Sequence, residues 1–320
     1  MADLPKTVHI TEEGPREGFQ FEKGAIPTAR KIALLEALAA TGLARIQAVS
    51  FVRPERVPGW ADADAVVEGL RPHQGVAYSA LWLNEKGLER ALAHRDKLAL
   101  EGSISMCASE TFIRRNQNRG FEDNLAVQGR QIEICKANRV PVERTSVMAA
   151  FGCNYEGDVP TARVLEVVAS ALGLAAAHDV RITTLGLSDT MAWATPEQIK
   201  RVVGAVRERW PGLRISLHLH DTRGLGIANA YAGLEMGVDH FDSSVAGLGG
   251  CPFAGHKGAA GNVCTEDLVF MCEEMGIATG IDLEQLIEVA GLAEEIVGHP
   301  LPGSVMHGGS LRRFREPSAA

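Results

Sequence analysis

Short runs rich in strand-forming residues alternate with longer helical runs along this whole 320-residue chain. The helical runs are rich in Ala, Leu, Glu, Lys and Arg, and their apolar residues recur at helical spacing. Such alternation is typical of parallel strands joined by crossover helices. The candidate strands lie near residues 8–13, 45–52, 76–83, 103–108, 144–151, 182–187, 214–219 and 240–246.

Eight strand–helix units favour an α/β fold of the (β/α)8 TIM-barrel type over the alternative, an open doubly wound sheet. Barrels of this kind often form one domain of about 250 residues. We therefore predict a catalytic barrel over residues 1–282. Residues 283–320 are expected to add a C-terminal helix and a loose tail packed on the barrel, with irregular structure from Pro300.

Composition limits the partners that the chain can have. The net charge of −8 argues against nucleic acid held by bulk electrostatics. No apolar stretch approaches the roughly 20 residues that span a membrane, and the N-terminus lacks the features of a signal peptide. The six cysteines form no CxxC pair and are expected to be reduced. We expect a soluble cytoplasmic protein without nucleic-acid or membrane partners.

Two histidines mark the end of the seventh candidate strand, within residues 216–221. Alternate residues of a strand point to the same face, so His218 and His220 can grip one metal ion. The alternative is a pair of structural histidines, because HxH is a short motif. Active sites of these barrels lie at the C-terminal strand ends, where this motif is expected.

A carboxylate and a guanidinium stand side by side after the first candidate strand, within residues 13–20. Glu17 can complete a metal site, and Arg16 can polarise a carbonyl or hold an enolate oxygen. The alternative is a surface ion pair, which contributes little. The first and seventh strands are not neighbours in an eight-stranded barrel, but their ends share one mouth.

A glycine-rich loop over residues 245–252 follows the last candidate strand. Its glycines give the backbone freedom that suits a lid or a loop carrying a reactive group. Cys251 lies in this loop and is a functional candidate, although cysteine is more often a small buried residue. Further on, the amide oxygen of Asn262 can serve as a hard ligand for a divalent ion.

Together these motifs resemble the 3-hydroxy-3-methylglutaryl-CoA lyase family, within the metal-dependent barrel lyases related to Claisen-type synthases. The resemblance extends from residue 13 to about 268. It implies a barrel, a divalent metal and cleavage of a carbon–carbon bond next to a carbonyl. The matching runs are residues 14–20, 50–52, 109–112, 155–157, 188–190, 218–222, 242–252 and 261–262.

The resemblance implies a metal site and residue roles around it. His218, His220 and Asn262 match the metal ligands of the family, and Glu17 stands in the place of its metal-binding aspartate. The expected ion is magnesium or manganese, which suits oxygen ligands combined with imidazole.

Further roles are carried over to residues around the metal. Arg16 matches the arginine that stabilises the enolate, and Cys251 matches the loop cysteine that takes part in proton transfer. Asp189 and Asn116 match polar residues lining the site. The remaining substrate-binding candidates are Ser50, in a matching run, and Lys23, which matches a lysine associated with the CoA portion.

The implied reaction splits a 3-hydroxy-acyl-CoA into acetyl-CoA and a keto acid. The small-molecule substrate is thus expected to be an acyl-CoA, and the protein a homodimer, as family members often are. Condensation in the opposite direction is the alternative within the same class. A non-catalytic barrel that binds a ligand is the alternative from another class.

Three departures from the family lie at residues expected to take part in the reaction. Glu17 is one methylene longer than aspartate, and Gln47 stands where the family has a glutamate. The loop over residues 251–262 is two residues longer and carries His256 and Lys257. We therefore expect the lyase chemistry to persist on a changed substrate, such as a citramalyl-like thioester or a hydroxy acid without CoA.

The departures also change the expected roles of single residues. His256 and Lys257 are candidates for binding an added anionic group of the substrate. Gln47 remains a catalytic-site residue, but a neutral amide cannot act as the acid or base. Asp189 or one of the histidines is then expected to be the base.

Overall fold

The computed structural model describes residues 4–22, 24–250 and 261–315. Eight parallel strands alternate with helices, as the sequence predicted. Each candidate strand coincides with an observed strand to within a few residues. The strands are β1 (His9–Glu12), β2 (Arg45–Ser50), β3 (Ala77–Leu81), β4 (Gly102–Cys107), β5 (Val142–Met148), β6 (Thr184–Asp189), β7 (Arg214–Leu219) and β8 (His240–Ser243).

Helices follow the strands and cover the outside of the sheet. Two 3₁₀ turns, Pro58–Trp60 and Val245–Gly247, add to them near the C-terminal strand ends. The helices are α1 (Gly14–Gly18), α2 (Thr28–Ala40), α3 (Ala63–Gly69), α4 (Glu85–Leu92), α5 (Glu110–Gln117), α6 (Phe121–Ala137), α7 (Thr161–Ala177), α8 (Pro196–Arg209), α9 (Gly226–Glu235), α10 (Thr265–Glu274), α11 (Leu283–Val297), α12 (Ser304–Gly308) and α13 (Arg312–Arg315).

The sheet curls until the first and last strands become neighbours. Its strand order is β3-β2-β1-β8-β7-β6-β5-β4, and β1 pairs with β8 in the register His9↔His240. Within the described ranges no ladder joins β3 to β4, although Ala99 N, just before β4, donates to Tyr78 O at 2.7 Å. The barrel order of eight strand–helix units is therefore confirmed, with β3 and β4 as its seam.

Apolar side chains between the sheet and the helices form the main core. Leu185 and Leu217, on neighbouring strands, are fully buried, as is Val168 on α7. Burying side chains of this size contributes about 1.5–3 kcal/mol each. Helix starts follow local sequence, since α8 begins at Pro196 behind the capping box of Thr195 and Gln198.

The predicted C-terminal helix is α11, and its buried face packs against α2 and the Val245–Gly247 turn. It ends at Gly298, whose left-handed conformation (φ 74°) favours glycine. Between Pro300 and residue 315, where the described part of the chain ends, the chain forms the short helices α12 and α13. Among the described residues, no helix combines the length and apolar character that crossing a bilayer requires.

Candidate active site

His218 and His220 lie at the C-terminal end of β7, and Glu17 lies on α1, directly after β1. The ligand atoms that these three residues offer are all within 4.8 Å of one another. The two imidazole ring centroids are 5.3 Å apart. The period-two spacing thus places both rings toward one mouth, and the segment after the first strand brings a carboxylate to the same place.

Close packing of α1 fixes the position of Glu17. A side chain at Gly18 would collide with Leu248, so only glycine allows this approach to the 245–248 turn. Trp60 Nε1 donates to Arg16 O at 2.8 Å and secures α1 from the other side. As a result, Glu17 Oε1 lies 3.8 Å from His220 Nε2.

Asn262 completes this group of candidate metal ligands. It pairs with His220 through an isolated β-bridge, and its Nδ2 donates to Glu17 Oε2 at 3.1 Å. Its Oδ1 is buried and, like His220 Nε2, has no hydrogen-bond partner in the described part of the chain. Buried polar atoms without partners are costly, so these two atoms fit a ligand that coordinates both. The donor set therefore suits a divalent metal.

Burial and neighbouring charges give the two histidines different pKa values. Burial, followed by the charge of His218, lowers the pKa of His220 to about 4. Burial also acts to lower the pKa of His218, but the hydrogen bond to Asp242 and the carboxylates of Glu13 and Glu17 outweigh it and raise that pKa to about 9. His220 is thus neutral at pH 7, the form in which imidazole coordinates metals, whereas His218 would have to release a proton to become a ligand.

Arg16 and Glu13 form a buried ion pair next to the donor group. Arg16 Nη2 lies 2.6 Å from Glu13 Oε2 and 3.3 Å from Glu17 Oε2. Gln47 Nε2, from β2, donates to Glu13 Oε1 at 3.3 Å, while Gln47 Oε1 is buried without a partner among the described residues. The predicted residues Arg16 and Gln47 therefore meet through Glu13, to which the sequence analysis gave no role.

Asp242 contacts the Nδ1 atom of the His218 ring. Its Oδ2 lies 3.3 Å from His218 Nδ1 and 3.2 Å from Arg144 Nη2. Neither Asp242 nor Arg144 was a candidate from sequence. The signal that identifies Asp242 is the β7–β8 register, which pairs it directly with His218.

Comparison with known proteins identifies the family. The family model described as HMGL-like matches residues 7–293. The chain belongs to the HMGL-like family. It is 41% identical to the hydroxymethylglutaryl-CoA lyase of Bacillus subtilis over 93% of this chain and 96% of the relative. It is 42% identical to the mitochondrial hydroxymethylglutaryl-CoA lyase of Rattus norvegicus over 90% of this chain and 85% of the relative.

A solved structure supports the same placement of this HMGL-like chain. It is an HMG-CoA lyase from Acinetobacter baumannii in complex with coenzyme A and 3-methylmalate. Its TM-score is 0.84 with 35% identity, covering 97% of each chain. The predicted barrel fold, family resemblance and enzyme class, a lyase acting on carbon–carbon bonds, are thereby confirmed.

Asp189 lies buried at the end of β6 of this HMGL-like barrel. Its Oδ1 accepts hydrogen bonds from Trp193 N at 2.7 Å and Ala194 N at 3.0 Å. Its Oδ2 is buried without a partner among the described residues. Burial raises the pKa of Asp189 to about 6, against the lowering effect of the two amides. This carboxylate can therefore exchange a proton near neutral pH.

The other predicted substrate residues are more scattered. Ser50 is buried at the end of β2, where its Oγ accepts from Val52 N at 3.4 Å. Asn116 is exposed on α5, after β4, and makes none of the contacts of the metal group given above. Lys23, Cys251, His256 and Lys257 lie outside the described residues.

Proposed function

We propose that this chain is a divalent-metal-dependent lyase that cleaves a 3-hydroxy-acyl-CoA of the hydroxymethylglutaryl-CoA type into acetyl-CoA and a keto acid. The observation that carries the proposal is the convergence of Glu17, His218, His220 and Asn262 beside Arg16. Relatives named for hydroxymethylglutaryl-CoA, and a structural neighbour in complex with coenzyme A, support a CoA-bearing substrate.

The residues that would hold the metal are Glu17, His218, His220 and Asn262. Two oxygen donors with two imidazoles favour magnesium or manganese, the ions that the family resemblance implies. When bound, such an ion stabilises negative charge that develops on substrate oxygens. The unpartnered Asn262 Oδ1 and His220 Nε2 support this set of ligands.

Arg16 would stabilise the enolate left by bond cleavage. Its guanidinium is held by Glu13 at 2.6 Å and by Glu17 at 3.3 Å, so it needs little reorganisation when the charge develops. A cation fixed in a water-poor site stabilises an oxyanion more than a mobile one does. Cys251, carried over from the family resemblance, is the residue proposed to protonate the enolate.

Asp189 is the carboxylate proposed to accept the proton of the substrate hydroxyl. Gln47 cannot take it, because an amide does not titrate near neutral pH. Asp189 Oδ2 is buried and unpartnered, and the pKa of the group is about 6. A base with this pKa is ionised at pH 7 and still takes a proton readily.

A second substrate is favoured by one specific feature of the site. Glu13 Oε1 lies 3.3 Å from Gln47 Nε2, so the site has a carboxylate just after the first strand although position 47 is neutral. Glu17 is also one methylene longer than the aspartate of the family. Both differences change where negative charge lies around the reacting atoms. A citramalyl-like thioester or a free hydroxy acid is the alternative, and the neighbour bound to 3-methylmalate supports testing hydroxy dicarboxylates.

The test is an assay of purified, Mn²⁺-supplemented protein against hydroxymethylglutaryl-CoA, citramalyl-CoA and the corresponding free acids. Cleavage of hydroxymethylglutaryl-CoA at about 1–1000 per second would support the first proposal. Activity on another compound alone would favour the altered substrate. Failure on the whole panel, and of condensation from acetyl-CoA and keto acids, would reject the lyase proposal.

We propose that the protein is a homodimer, as the family resemblance implies, and that it is cytoplasmic, as expected from the sequence. Light scattering of the purified full chain measures the oligomeric state, and a monomer would reject the first of these two statements.

A further inference from the structure

A polar path crosses the barrel interior beneath the metal-ligand group. Arg144, on β5, places Nη2 at 3.1 Å from Ser216 Oγ on β7 and at 3.2 Å from Asp242 Oδ2 on β8. One side chain therefore reaches past the strand between β5 and β7. Its own side chain is 36% exposed because the path opens at the far end of the barrel.

That far end is a cavity of about 270 Å³ at the N-terminal ends of the strands. Arg144 and Asp242 both line it, together with Ser216 and the exposed Arg214. The proposed reaction takes place at the opposite, C-terminal ends. The Arg144 side chain thus approaches the site from behind, where substrate does not enter.

Gly186 provides the space through which Arg144 crosses β6. In the parallel register it lies between Ser146 of β5 and Ser216 of β7. A Cβ atom at this position would lie 3.2 Å from Arg144 Nη2 and 3.5 Å from Ser216 Oγ. Any larger residue would therefore compete with the guanidinium for the same volume.

Asp242 connects this path to the metal-ligand group. It is only 4% exposed, and its Oδ2 lies between Arg144 Nη2 and His218 Nδ1, 3.3 Å from the latter. A buried carboxylate without a cation is strongly destabilising, so Arg144 is the group that makes an ionised Asp242 tolerable here. Carboxylates behind a metal-bound histidine fix the orientation of its ring.

We propose that Arg144 is a positioning residue for the metal site and acts through Asp242. Its guanidinium holds Asp242 Oδ2 against His218 Nδ1, which leaves Nε2 of that ring for the group formed with Glu17 and His220. The inference rests on the proposed function in that it takes these residues as metal ligands. Arg144 itself touches neither the metal group nor the proposed substrate.

The experiment is a Mn²⁺ titration of the purified full chain by calorimetry, without substrate. Arg144→Met keeps the aliphatic stem and removes the charge, and it is expected to weaken Mn²⁺ binding by about 10–100-fold, the usual effect of losing such support. Arg144→Lys is expected to recover much of that affinity. Arg214→Met is the matched control, since it lines the same cavity and is expected to bind Mn²⁺ as the parent does.

Pairing Arg144→Met with Asp242→Asn keeps the test informative if the single variant does not fold. If Arg144 acts through Asp242, the double variant binds Mn²⁺ as Asp242→Asn alone does. A further drop in the double variant would overturn the proposal. So would unchanged Mn²⁺ affinity in a folded Arg144→Met variant, or an equal loss in Arg214→Met.

Two further readouts separate this inference from the proposed function. With a cleaved substrate, saturating Mn²⁺ is expected to restore kcat of Arg144→Met without changing KM for the acyl-CoA. If the wild type cleaves nothing on the panel, the titration still decides the role of Arg144. A wild type that binds no Mn²⁺ would instead reject the metal site on which the inference rests.

Discussion

The side chains of Glu13 and Gln47 are in contact at one side of the site. The family resemblance implies a glutamate at position 47 instead of this glutamine. Gln47 Nε2 donates to Glu13 Oε1 at 3.3 Å, and the other carboxylate oxygen of Glu13 contacts Arg16 at 2.6 Å. Adding a carboxylate at 47 alone would place two like charges side by side, and one of them would stay protonated. The negative charge can therefore be moved from position 13 to position 47 only by exchanging both residues.

The exchange gives the first prediction. Glu13→Gln removes the partner that orients Arg16 and is expected to lower kcat by about 10²–10³-fold, as the loss of one preorganised charge does. Adding Gln47→Glu to it is expected to recover most of that loss on the best substrate of the panel. Exposed Glu55→Gln is the control. A double variant as inactive as the single one would show that position 47 cannot replace position 13.

Asp189 gives a prediction in pH. Its pKa of about 6 means that the carboxylate is protonated, and unable to accept a proton, below that value. We expect kcat/KM of the wild type to rise between pH 5 and 7 and then to level off. Asp189→Asn should lower kcat/KM by about 10²–10⁴-fold and abolish the rising limb. If the variant kept the same rise of kcat/KM between pH 5 and 7, that rise would belong to another titrating group.

At the scale of elements, the strands and the paired histidines could be predicted because each depends on one segment. Apolar periodicity marked β7, and its period of two placed His218 and His220 on one face. Asp242 and Arg144 could not be found in this way. Their roles arise from register across four strands, from β5 through β6 and β7 to β8, and a single sequence does not contain that register.

Glu13 was missed for a different reason. It belongs to the same run as Arg16 and Glu17, but the sequence does not say that the chain turns into α1 directly after it. That turn is what brings Gln47 of β2 within 3.3 Å. Local pattern therefore gave the donors of the site, whereas tertiary contact determined which charges surround them.

The close packing of α1 leads to a prediction on stability and activity together. Gly18→Ala inserts a methyl group against buried Leu248 and is expected to cost about 1–3 kcal/mol of unfolding free energy, as overpacking does. It should also lower activity, because Glu17 moves with the helix. Urea denaturation measures the first effect and the panel assay the second.

Gly173→Ala is the matched control. Gly173 lies inside α7, and a Cβ there would meet no atom within 4 Å. Since alanine favours the helix, this variant should gain about 0.5–1 kcal/mol and keep full activity. If both variants change stability by the same amount, the packing argument for Gly18 is wrong.

Across the whole molecule, two buried glutamates contact the segment that follows β8: Glu12 from the first strand and Glu266 from the helix after that segment. Glu12, on β1, accepts from Val245 N at 2.9 Å and from Thr265 Oγ1 at 2.6 Å. Glu266, on α10, accepts from Ala246 N at 3.0 Å. Together they hold the turn Val245–Gly247, which follows β8 and begins the glycine-rich loop. Closure of the barrel between β1 and β8 is thus supported by the buried Glu12 as well as by apolar contacts.

This arrangement makes stability depend on pH in a direction that can be worked out. Burial raises the pKa of Glu266 to about 7, from 4.5. Between these values the folded state keeps a proton that the unfolded state releases, so the contribution of Glu266 to stability falls as pH rises from 4.5 to 7. Above pH 7 both states are ionised, and no further change follows from this group.

Glu266→Gln tests that sign, because an amide can still accept from Ala246 N but carries no titrating proton. The unfolding free energy of the variant relative to the wild type should rise between pH 5 and 7 by about 2–3 kcal/mol at most and stay level to pH 8. Urea denaturation at four pH values measures it. Exposed Glu288→Gln accounts for the loss of one surface charge. A relative stability that stays constant across this range would mean that Glu266 is ionised in the folded barrel throughout.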